Sequence, residues 1–348
     1  MAGILFSKLS GKNDALFGKI ETPVKMFILN ESNLWEKRKS LLSALFNVEK
    51  SNRFAETTIG ETDFGDFQAV GEGQNAENDS IQVGHKKTIE HIAFMKEFTV
   101  TREMIDDTVG ALSPAIKRKA KNFIAAYYKT QIKIASLALA NGTKNSMVFN
   151  KATVDLTVGD GKSLFNNSHT FVKDEFKGKT QSNYYYSASM CGSAAELEAS
   201  LQKLAVAMRN FKDENGDPMG YVADTIIIPG NRAALESVVK KVVGSERTTG
   251  SNNNDINTQF GNWTIVVNDY WETNDDRFII MSSEANEQLG ANMFYNRVKL
   301  DVTSDIDKHS RNYFMNGYCR FGVGFTGWKH AILAVDADSA VSGATQLA

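Results

Sequence analysis

A helix of unusual length constrains the fold of this chain more than any other segment. Ser113 is a good N-cap and Pro114 suits the first helical position, so the helix is predicted to begin there. Its apolar residues recur at spacings of three and four as far as Asn141 and Gly142, where it ends. Roughly 28 residues at about 1.5 Å each make a rod of about 42 Å. Such a rod is typical of a structural spine and long for a globular enzyme.

The first turns of this predicted helix are basic. Lys117, Arg118, Lys119 and Lys121 lie where the helix dipole disfavours positive charge. We therefore expect these side chains to lie on a solvated or intersubunit face.

The composition is that of a globular protein with about two domains' worth of chain. The 348 residues include 39 Lys and Arg against 41 Asp and Glu, a formal net charge of −2, and 42% are hydrophobic. This balance excludes a basic protein that coats nucleic acid and an acidic disordered chain.

The cysteines and the apolar runs restrict the class further. Cys191 and Cys319 form no CxxC pair, zinc spacing or disulfide framework, so we expect a reducing compartment and two packing residues. No apolar run reaches the roughly 18 residues needed to cross a bilayer. Met1 to Lys12 is too interrupted for a signal peptide, so synthesis inside the cell is expected.

The N-terminal quarter lacks the material for a core. Residues 1–50 are predicted to form an extended arm with one short helix within Asn33 to Val48, where leucines recur at helical spacing. Ser51 to Glu97 is punctuated by glycine and rich in Thr, Phe, Val and Ile, which predicts a long two-stranded β-arm. Because isolated hairpins are marginal in water, this arm needs another surface, and we expect a neighbouring subunit to supply it.

From about Val148 to Ala285 the pattern alternates between helices and short apolar strands, which predicts a compact α/β layer. A polar stretch from Gly244 to Asn262 is too long for a simple connection, so an assembly role or mobility is expected of it. The predicted helices are 194–211 and 232–243, and the predicted strands are 225–228, 264–267 and 277–281.

The last part of the chain returns to β-structure. Two long strands are predicted at Phe294–Thr303 and Asn312–Phe325, and a final strand at His330–Val335 precedes a tail of small residues. Alternation of Val298, Leu300 and Val302 favours one solvated face. Together with the long helix this order predicts the α+β class.

No motif assigns a catalytic, cofactor-binding or metal-binding residue. Val158 to Ser163 resembles a phosphate loop, but Leu156 occupies the position of the first Walker glycine. Asp213, Asn215 and Asp217 imitate the start of an EF-hand, but Pro218 and Asp224 occupy the positions of its glycine and glutamate, which favours a plain turn.

The remaining chemistry-bearing residues are scattered. The five histidines form no HxxxH or HExxH pair and are expected to be surface or packing residues: His85, His91, His169, His309 and His330. Tyr184 to Tyr186 offers aromatic rings that could stack on bases, but the dense basic field of a nucleic-acid site is lacking. The segment from Asp160 to His169 is the only tempting enzyme-like site.

The order of arm, β-loop, long helix, α/β layer and two long strands resembles the Hong Kong 97-type major capsid protein of tailed bacteriophages. The local resemblance is to the Mu-like major head subunit group. It rests on Asp160-Gly-Lys-Ser-Leu-Phe165, Asn167-Ser-His169, the helix from Leu197 to Phe211, Asp213-Glu-Asn-Gly-Asp-Pro218 and Ile226-Ile-Ile-Pro229.

This resemblance implies a fold of four parts and a function in assembly. Subunits would form pentamers and hexamers that tile an icosahedral shell around packaged double-stranded DNA, without sequence-specific contacts and without a membrane. The parts would be an N-terminal arm (1–50), an E-loop (51–97), a peripheral domain with the spine helix (98–147 and 286–328) and an axial domain (148–285 and 329–348).

The resemblance also implies partners and a location. A portal and a separate scaffold protein are expected, since only about fifty residues precede the E-loop; a chain already processed is the other option. The protein would be made and assembled in the bacterial cytoplasm and reside in the virion. A few family members link a Lys of the E-loop to an Asn; Lys86 or Lys87 could supply that amine, but nothing identifies the Asn or the assisting Glu.

Two alternatives share parts of this evidence. An encapsulin-like compartment would have the same fold but would enclose protein cargo, and a docking peptide encoded nearby would distinguish it. A soluble α/β enzyme would use Asp160 and His169, and substitution of both without loss of turnover would leave that hypothesis empty.

Overall fold

The computed structural model describes residues 5–6, 17–36, 41–62, 64–73, 75, 78, 82–107, 113–246, 256–307 and 309–347. The helices of these residues are α1 (Phe17–Glu36), α2 (Leu41–Leu45), α3 (Arg102–Asp106), α4 (Pro114–Ala140), α5 (Ala194–Arg209), α6 (Ala233–Val243) and α7 (Ser283–Gln288), with a 3-10 turn at Asp174–Phe176. The strands are β1 (Leu5–Phe6), β2 (Asn47–Lys50), β3 (Ala55–Glu61), β4 (Val83–Glu90), β5 (Ile92–Val100), β6 (Ser146–Phe149), β7 (Ala152–Asp155), β8 (His169–Thr170), β9 (Thr180–Gln181), β10 (Tyr184–Ser187), β11 (Thr225–Pro229), β12 (Thr264–Asn268), β13 (Arg277–Met281), β14 (Asn292–Ile306), β15 (Tyr313–Phe325), β16 (Ala331–Asp336) and β17 (Thr345–Gln346).

The chain divides into two compact units. The first unit comprises Met1–Glu56, Glu90–Ala135 and Phe294–Val323. The second comprises Thr57–Ile89, Ser136–Met293 and Gly324–Ala348.

The first unit is built on a five-stranded sheet in the order β1-β14-β15-β5, with β2 also paired to β14. Apolar side chains from alternate strand positions and from α1 and α4 form its core. The fully or nearly fully buried members are Val24, Ile28, Val100, Ile105, Ile116, Ala120, Phe123, Ile124, Leu300, Val302, Tyr313 and Met315. Burial of these side chains is the main favourable term that holds the helices on the sheet.

Helix α4 confirms the predicted spine. Ser113 Oγ accepts the backbone N–H of Ile116 at 3.2 Å, as an N-cap does, and the helix continues for 27 residues. Lys117, Arg118 and Lys121 are exposed, whereas Lys119 donates to the backbone oxygen of Thr99 at 2.7 Å. The basic first turns therefore lie mostly in solvent, as expected.

The N-terminal helix differs from the prediction. The short helix expected within Asn33–Val48 is present as the five-residue α2, but the arm before it is not extended as predicted, because α1 spans 20 residues and ends at Glu36. Pro23 lies inside α1, where a proline removes one backbone hydrogen bond. Val24 and Ile28 are fully buried in the core of the first unit, and this packing outweighs the local signal.

The predicted β-arm is confirmed as a hairpin of β3 and β4, but its second strand is shorter than predicted. It ends at Glu90, and Ile92–Val100 instead pairs antiparallel with Phe321–Tyr313 of β15. Phe94 stacks on Phe321 with 4.7 Å between ring centroids. Sequence alternation marks a strand but does not choose its partner, which is why the prediction extended the arm to Glu97.

The second unit contains a six-stranded sheet in the order β12-β11-β13-β16-β10-β17. Helices α5 and α6 contact each other, and α5 contacts β16. The predicted helices and strands between Ala194 and Met281 are all confirmed, with β11 buried along its whole length. This is the predicted α/β layer.

The C-terminal strands are confirmed and one further element is present. Strands β14, β15 and β16 match the three predicted, and Leu300, Val302 and Ser304 alternate with less buried positions. The predicted tail of small residues follows β16, and it contains one strand that was not predicted: Thr345 pairs with Tyr185, and Gln346 pairs with Tyr186.

The polar stretch from Gly244 to Asn262 is described only in part, since residues 247–255 lie outside the described ranges. Asn257 closes its base by donating to the backbone oxygens of Val242 and Ser245. An assembly role or mobility of this stretch stays a prediction. No described helix is long and apolar enough to span a membrane.

Candidate functional site

The hairpin of β3 and β4 has an apolar surface without a core of its own. Its strands pair with each other and with no further strand of the described chain. Phe67, in the segment that follows β3, is fully exposed. Among the described residues of the hairpin and this segment, the other large apolar side chains that are at least half exposed are Ile59, Phe64, Val70 and Val83. These exposed side chains make the hairpin and the segment after β3 the candidate interaction surface.

The second strand of the hairpin is anchored by an ion pair. Lys87 Nζ lies 2.5 Å from Asp155 Oδ2 and 2.8 Å from Thr157 Oγ1. Burial opposes ionisation of Asp155, but hydrogen bonds from Lys87 and Thr157 outweigh it and lower the pKa of this carboxyl. The pair ties β4 to the end of β7.

Glycines allow close packing in the hairpin and at its contact with the loop after β7. A Cβ on Gly84 would lie 2.7 Å from the backbone oxygen of Gly60 on the opposite strand. A Cβ on Gly159 would lie 2.8 Å from the Cβ of His85 in β4. Side chains at either glycine would push the backbones apart.

The segment from Asp160 to His169, the enzyme-like site of the sequence, is brought together. His169 Nδ1 lies 2.8 Å from Asp160 Oδ2, and the two side chains are 0% and 1% exposed. Burial by itself raises the pKa of Asp160. Hydrogen bonds from His169 and from the backbone N–H groups of Lys162 and Thr170 together outweigh burial, so the pKa of this carboxyl is lowered. Ser163 Oγ, the hydroxyl of this loop, donates to the backbone oxygen of Phe165. These contacts fix a loop and leave neither side chain open to a substrate.

The same loop borders a cleft of about 290 Å³. Its walls combine hairpin residues with the loop before β16, among them Lys87, Thr326 and Trp328. Glu214 and Lys329, which also line it, lie 3.7 Å apart as an ion pair. The cleft therefore lies at the base of the hairpin, with the charges of Glu214 and Lys329 paired.

The other candidate residues have structural surroundings. Asp213 Oδ1 accepts the N–H groups of Asn215 and Asp217, which is the predicted plain turn, and Asn215 Nδ2 donates to the backbone oxygen of Phe64. Among the described residues no group of three or more His, Cys, Asp or Glu could hold a metal ion. His91, His169 and His330 are buried, while His85 is partly exposed and His309 exposed.

The aromatic and thiol residues are also accounted for by packing. Tyr184 is buried in β10, and burial raises the pKa of its hydroxyl. Cys191 and Cys319 are buried and unpaired with each other, as expected of packing residues. Lys86 is exposed, whereas the ammonium of Lys87 is engaged by Asp155; a crosslink from either lysine stays a prediction.

Sequence reasoning missed the residues that matter most here. Asp155 pairs with Lys87 from 68 positions away, and Asn183 and Trp328 surround His169. No local pattern marks such residues, because their roles depend on segments that meet only in the folded chain.

Comparison with known proteins gives consistent matches. A family model described as phage capsid protein matches residues 93–334. No curated protein matches the chain. Among solved structures, the capsid of cyanophage P-SCSP1u has a TM-score of 0.50 at 12% identity, covering 87% of this chain and 90% of that chain. A structure from Mycobacterium phage Patience has a TM-score of 0.50 at 12% identity, covering 98% of this chain and 94% of that chain.

A third solved structure, the capsid of an empty GTA particle, has a TM-score of 0.51 at 12% identity, covering 86% of this chain and 91% of that chain. At such low identity these likenesses concern the fold alone. They confirm the predicted α+β fold of Hong Kong 97 type; the narrower Mu-like group stays a prediction.

Proposed function

This chain belongs to the phage capsid protein family and is a major capsid protein, and we propose that its copies assemble as pentamers and hexamers into an icosahedral shell that encloses phage genomic DNA. In this proposal each subunit is one tile, and the shell is held by many modest contacts repeated under closed symmetry.

One observation carries the proposal: the hairpin of β3 and β4 exposes its apolar residues and pairs with no third described strand. A two-stranded hairpin is marginal in water by itself. A neighbouring copy would cover Phe64, Phe67 and Val70 and thereby remove their apolar surface from water. The ion pair of Lys87 with Asp155 would hold β4 ready for that contact.

The proposed division of labour follows the Hong Kong 97-type parts. The hairpin would serve in the E-loop, and α4 would be the spine of the peripheral domain. The proposed ranges are 1–50 for the N-terminal arm, 51–97 for the E-loop, 98–147 and 286–328 for the peripheral domain, and 148–285 and 329–348 for the axial domain.

A capsid protein resides in the virion. We further propose that assembly takes place in the host bacterial cytoplasm with a separate scaffold protein and a portal, and that packaged double-stranded DNA is contacted without sequence preference.

We assign no catalytic residue. The pair most like an active site, Asp160 and His169, is buried and holds its own loop. We expect that substitution of both residues removes no enzymatic activity. Loss of turnover of a substrate would restore the enzyme hypothesis.

The decisive experiment is electron microscopy of the purified full chain, with sedimentation at several protein and salt concentrations. Shells, tubes or rings of five and six subunits are the expected result. Co-expression with the phage's own scaffold protein covers the case of dependent assembly. A monomer under every one of these conditions would contradict the proposal.

A further inference from the structure

The spine helix α4 carries charge of one sign only. Its 27 residues include six Lys or Arg and no Asp or Glu, whereas the frequency in the whole chain would give about three acidic residues in that length. The near-neutral balance of the chain conceals this, because the excess of acidic residues lies in other segments. A composition that excludes a protein basic throughout therefore still allows one strongly basic face.

Five of the six basic side chains lie together on the exposed side of α4. At 3.6 residues per turn they fall within an arc of about 160°, and at about 1.5 Å per residue they extend over about 24 Å. The core residues Ile116, Ala120 and Phe123 lie on the opposite side of the helix. We call the five exposed residues the basic stripe: Lys117, Arg118, Lys121, Lys129 and Lys133.

The basic stripe has no counter-charge within the described chain. None of its five side chains belongs to an ion pair between described residues. Two acidic residues on helices that share the core with α4 are paired within their own helices, Glu21 with Lys25 and Asp106 with Arg102. The sixth cation of α4, Lys119, is less exposed and donates to a backbone oxygen. The stripe is therefore open to a partner.

The stripe weakens the helix that carries it. Lys117 and Lys121 are four positions apart, as are Lys129 and Lys133, and like charges at this spacing repel each other on a helix. Lys117 also lies in the first turn, where the helix dipole disfavours positive charge. An acidic residue at some of these positions would make a more stable spine. A negatively charged partner outside the described chain would relieve both effects.

The exposed residues of α4 fit a nucleic acid better than a protein. The centre of a protein–protein interface is apolar and poor in lysine. Besides the stripe, the exposed residues of α4 are Pro114 and Asn122, so the face has no large apolar side chain. Double-stranded DNA presents about one negative charge per 1.7 Å of its axis. A duplex lying along the stripe would thus offer phosphates over the whole of its length.

We propose that the basic stripe of α4 binds the phosphate backbone of double-stranded DNA without reading its sequence. Four of its five members are lysines, whose ammonium groups are point charges on flexible stems and demand no single geometry. Contacts to phosphates carry no sequence information, because that information lies on the base edges. The role of the stripe as a contact to packaged DNA rests on the proposed function, whereas the binding itself is a property of the folded chain.

The salt dependence of DNA binding tests the proposal. The full chain is used at a concentration where sedimentation shows unassembled subunits, and the anisotropy of a fluorescent duplex of about 20 base pairs gives Kd from about 50 to about 200 mM salt. Each phosphate contact contributes about 0.9 to the slope of log Kd against log salt. We expect loss of four stripe lysines to lower this slope by about 2 to 4, and to weaken binding at least about tenfold at the lowest salt. The stripe variant combines Lys117→Gln, Lys121→Gln, Lys129→Gln and Lys133→Gln.

Two further variants serve as controls. The first removes the same number of positive charges at exposed lysines outside the stripe, and its slope should change by less than about 1. The second replaces the four stripe lysines by arginine, which keeps the charge, so its slope should equal that of the full chain. The first control combines Lys50→Gln, Lys96→Gln, Lys144→Gln and Lys203→Gln.

Three binding results would overturn the proposal. One is a slope below about 2 for the full chain, fewer than about three phosphate contacts, which decides the matter even where the stripe variant does not fold. Another is an equal loss of slope in the stripe variant and in the first control. The third is a Kd that differs more than about tenfold between two duplexes of equal length and unrelated sequence, which is the sign of base readout.

Electron microscopy separates DNA binding from shell assembly. We expect the stripe variant to form the same shells or rings as the full chain. If it loses assembly or scaffold binding while its DNA binding is unchanged, the stripe contacts a protein and the proposal is overturned. If the full chain binds DNA as expected but forms no shell under any condition, the proposed function fails and the DNA-binding stripe is still established.

Discussion

The ammonium of Lys87 lies 2.5 Å from the carboxylate of Asp155 and joins the second hairpin strand to the end of β7. The partners are unequal, since the Lys87 side chain is 6% exposed and that of Asp155 59%. Loss of the exposed partner therefore leaves a buried cation, and loss of the buried one leaves a carboxylate in water.

We expect Asp155→Asn to lower the free energy of unfolding by about 1 kcal/mol, the upper end for an exposed ion pair, because water weakens a pair with one exposed member. Lys87→Met should cost less, and Lys86→Met, at the exposed neighbour, should change nothing. Urea unfolding measures these differences. The lowered pKa of Asp155 makes the contribution present above about pH 4 and lost as the pH falls through the folded value.

Phe67 is fully exposed in the single chain, so Phe67→Ser should leave its unfolding midpoint unchanged. The same substitution should reduce assembly, since it removes an apolar group that a neighbouring copy would bury. Val148→Ser, at a 75% exposed valine of β6, is the matched control. Light scattering and electron microscopy give the readout. If Phe67→Ser forms normal shells, Phe67 does not contribute to the interface between copies.

Gly317 of β15 provides the space for Phe123 of the spine helix. A Cβ at this glycine would lie 2.3 Å from Phe123 Cζ and 2.9 Å from Leu300 Cδ1. Gly317→Ala should destabilise the first unit by about 1–3 kcal/mol, as overpacking does. Gly327→Ala meets no atom within 4 Å and should be nearly neutral. Similar thermal midpoints for the two variants would contradict this packing.

His330 should make the protein sensitive to acid. Burial lowers its pKa to about 3, and neither ring nitrogen has a described hydrogen-bond partner. The unfolded chain takes up a proton on His330 below about pH 6.5, while the folded chain does not. The free energy of unfolding therefore decreases by about 1.4 kcal/mol for each unit by which the pH falls from about 6.5 to about 3. Denaturant titrations of His330→Leu should show a shallower slope, and those of His309→Gln the original one. Equal slopes in all three proteins would refute a neutral buried His330.

The two thiols should be inert in the folded chain. Burial raises the pKa of Cys319 to about 12 and also raises that of Cys191, which is further disfavoured as a thiolate by Asp336. Ellman's reagent at about pH 8 should react with neither thiol before denaturation and with both afterwards. Rapid reaction of one thiol in the folded protein would place that cysteine at the surface.

Several elements could be predicted because their signals are local. Ser113 and Pro114 mark the start of α4 by a cap and a fixed backbone angle, and the apolar period carries the helix to its end. Strand β11 and the turn at Asp213 likewise follow from residues adjacent in sequence. Helix α1 could not be predicted, because its support comes from Val24 and Ile28 packed in the core of the first unit.

The sequence by itself determined the spine helix, the hairpin, strands β11 to β16 of the two sheets and thereby the α+β class, since periodicity and capping act within a few residues. Only the tertiary structure decided that Ile92–Val100 pairs with β15, that Lys87 meets Asp155, and that His169 lies between Asp160 and Asn183. These choices depend on the burial of polar and apolar groups contributed by distant segments, and burial is a property of the whole folded chain.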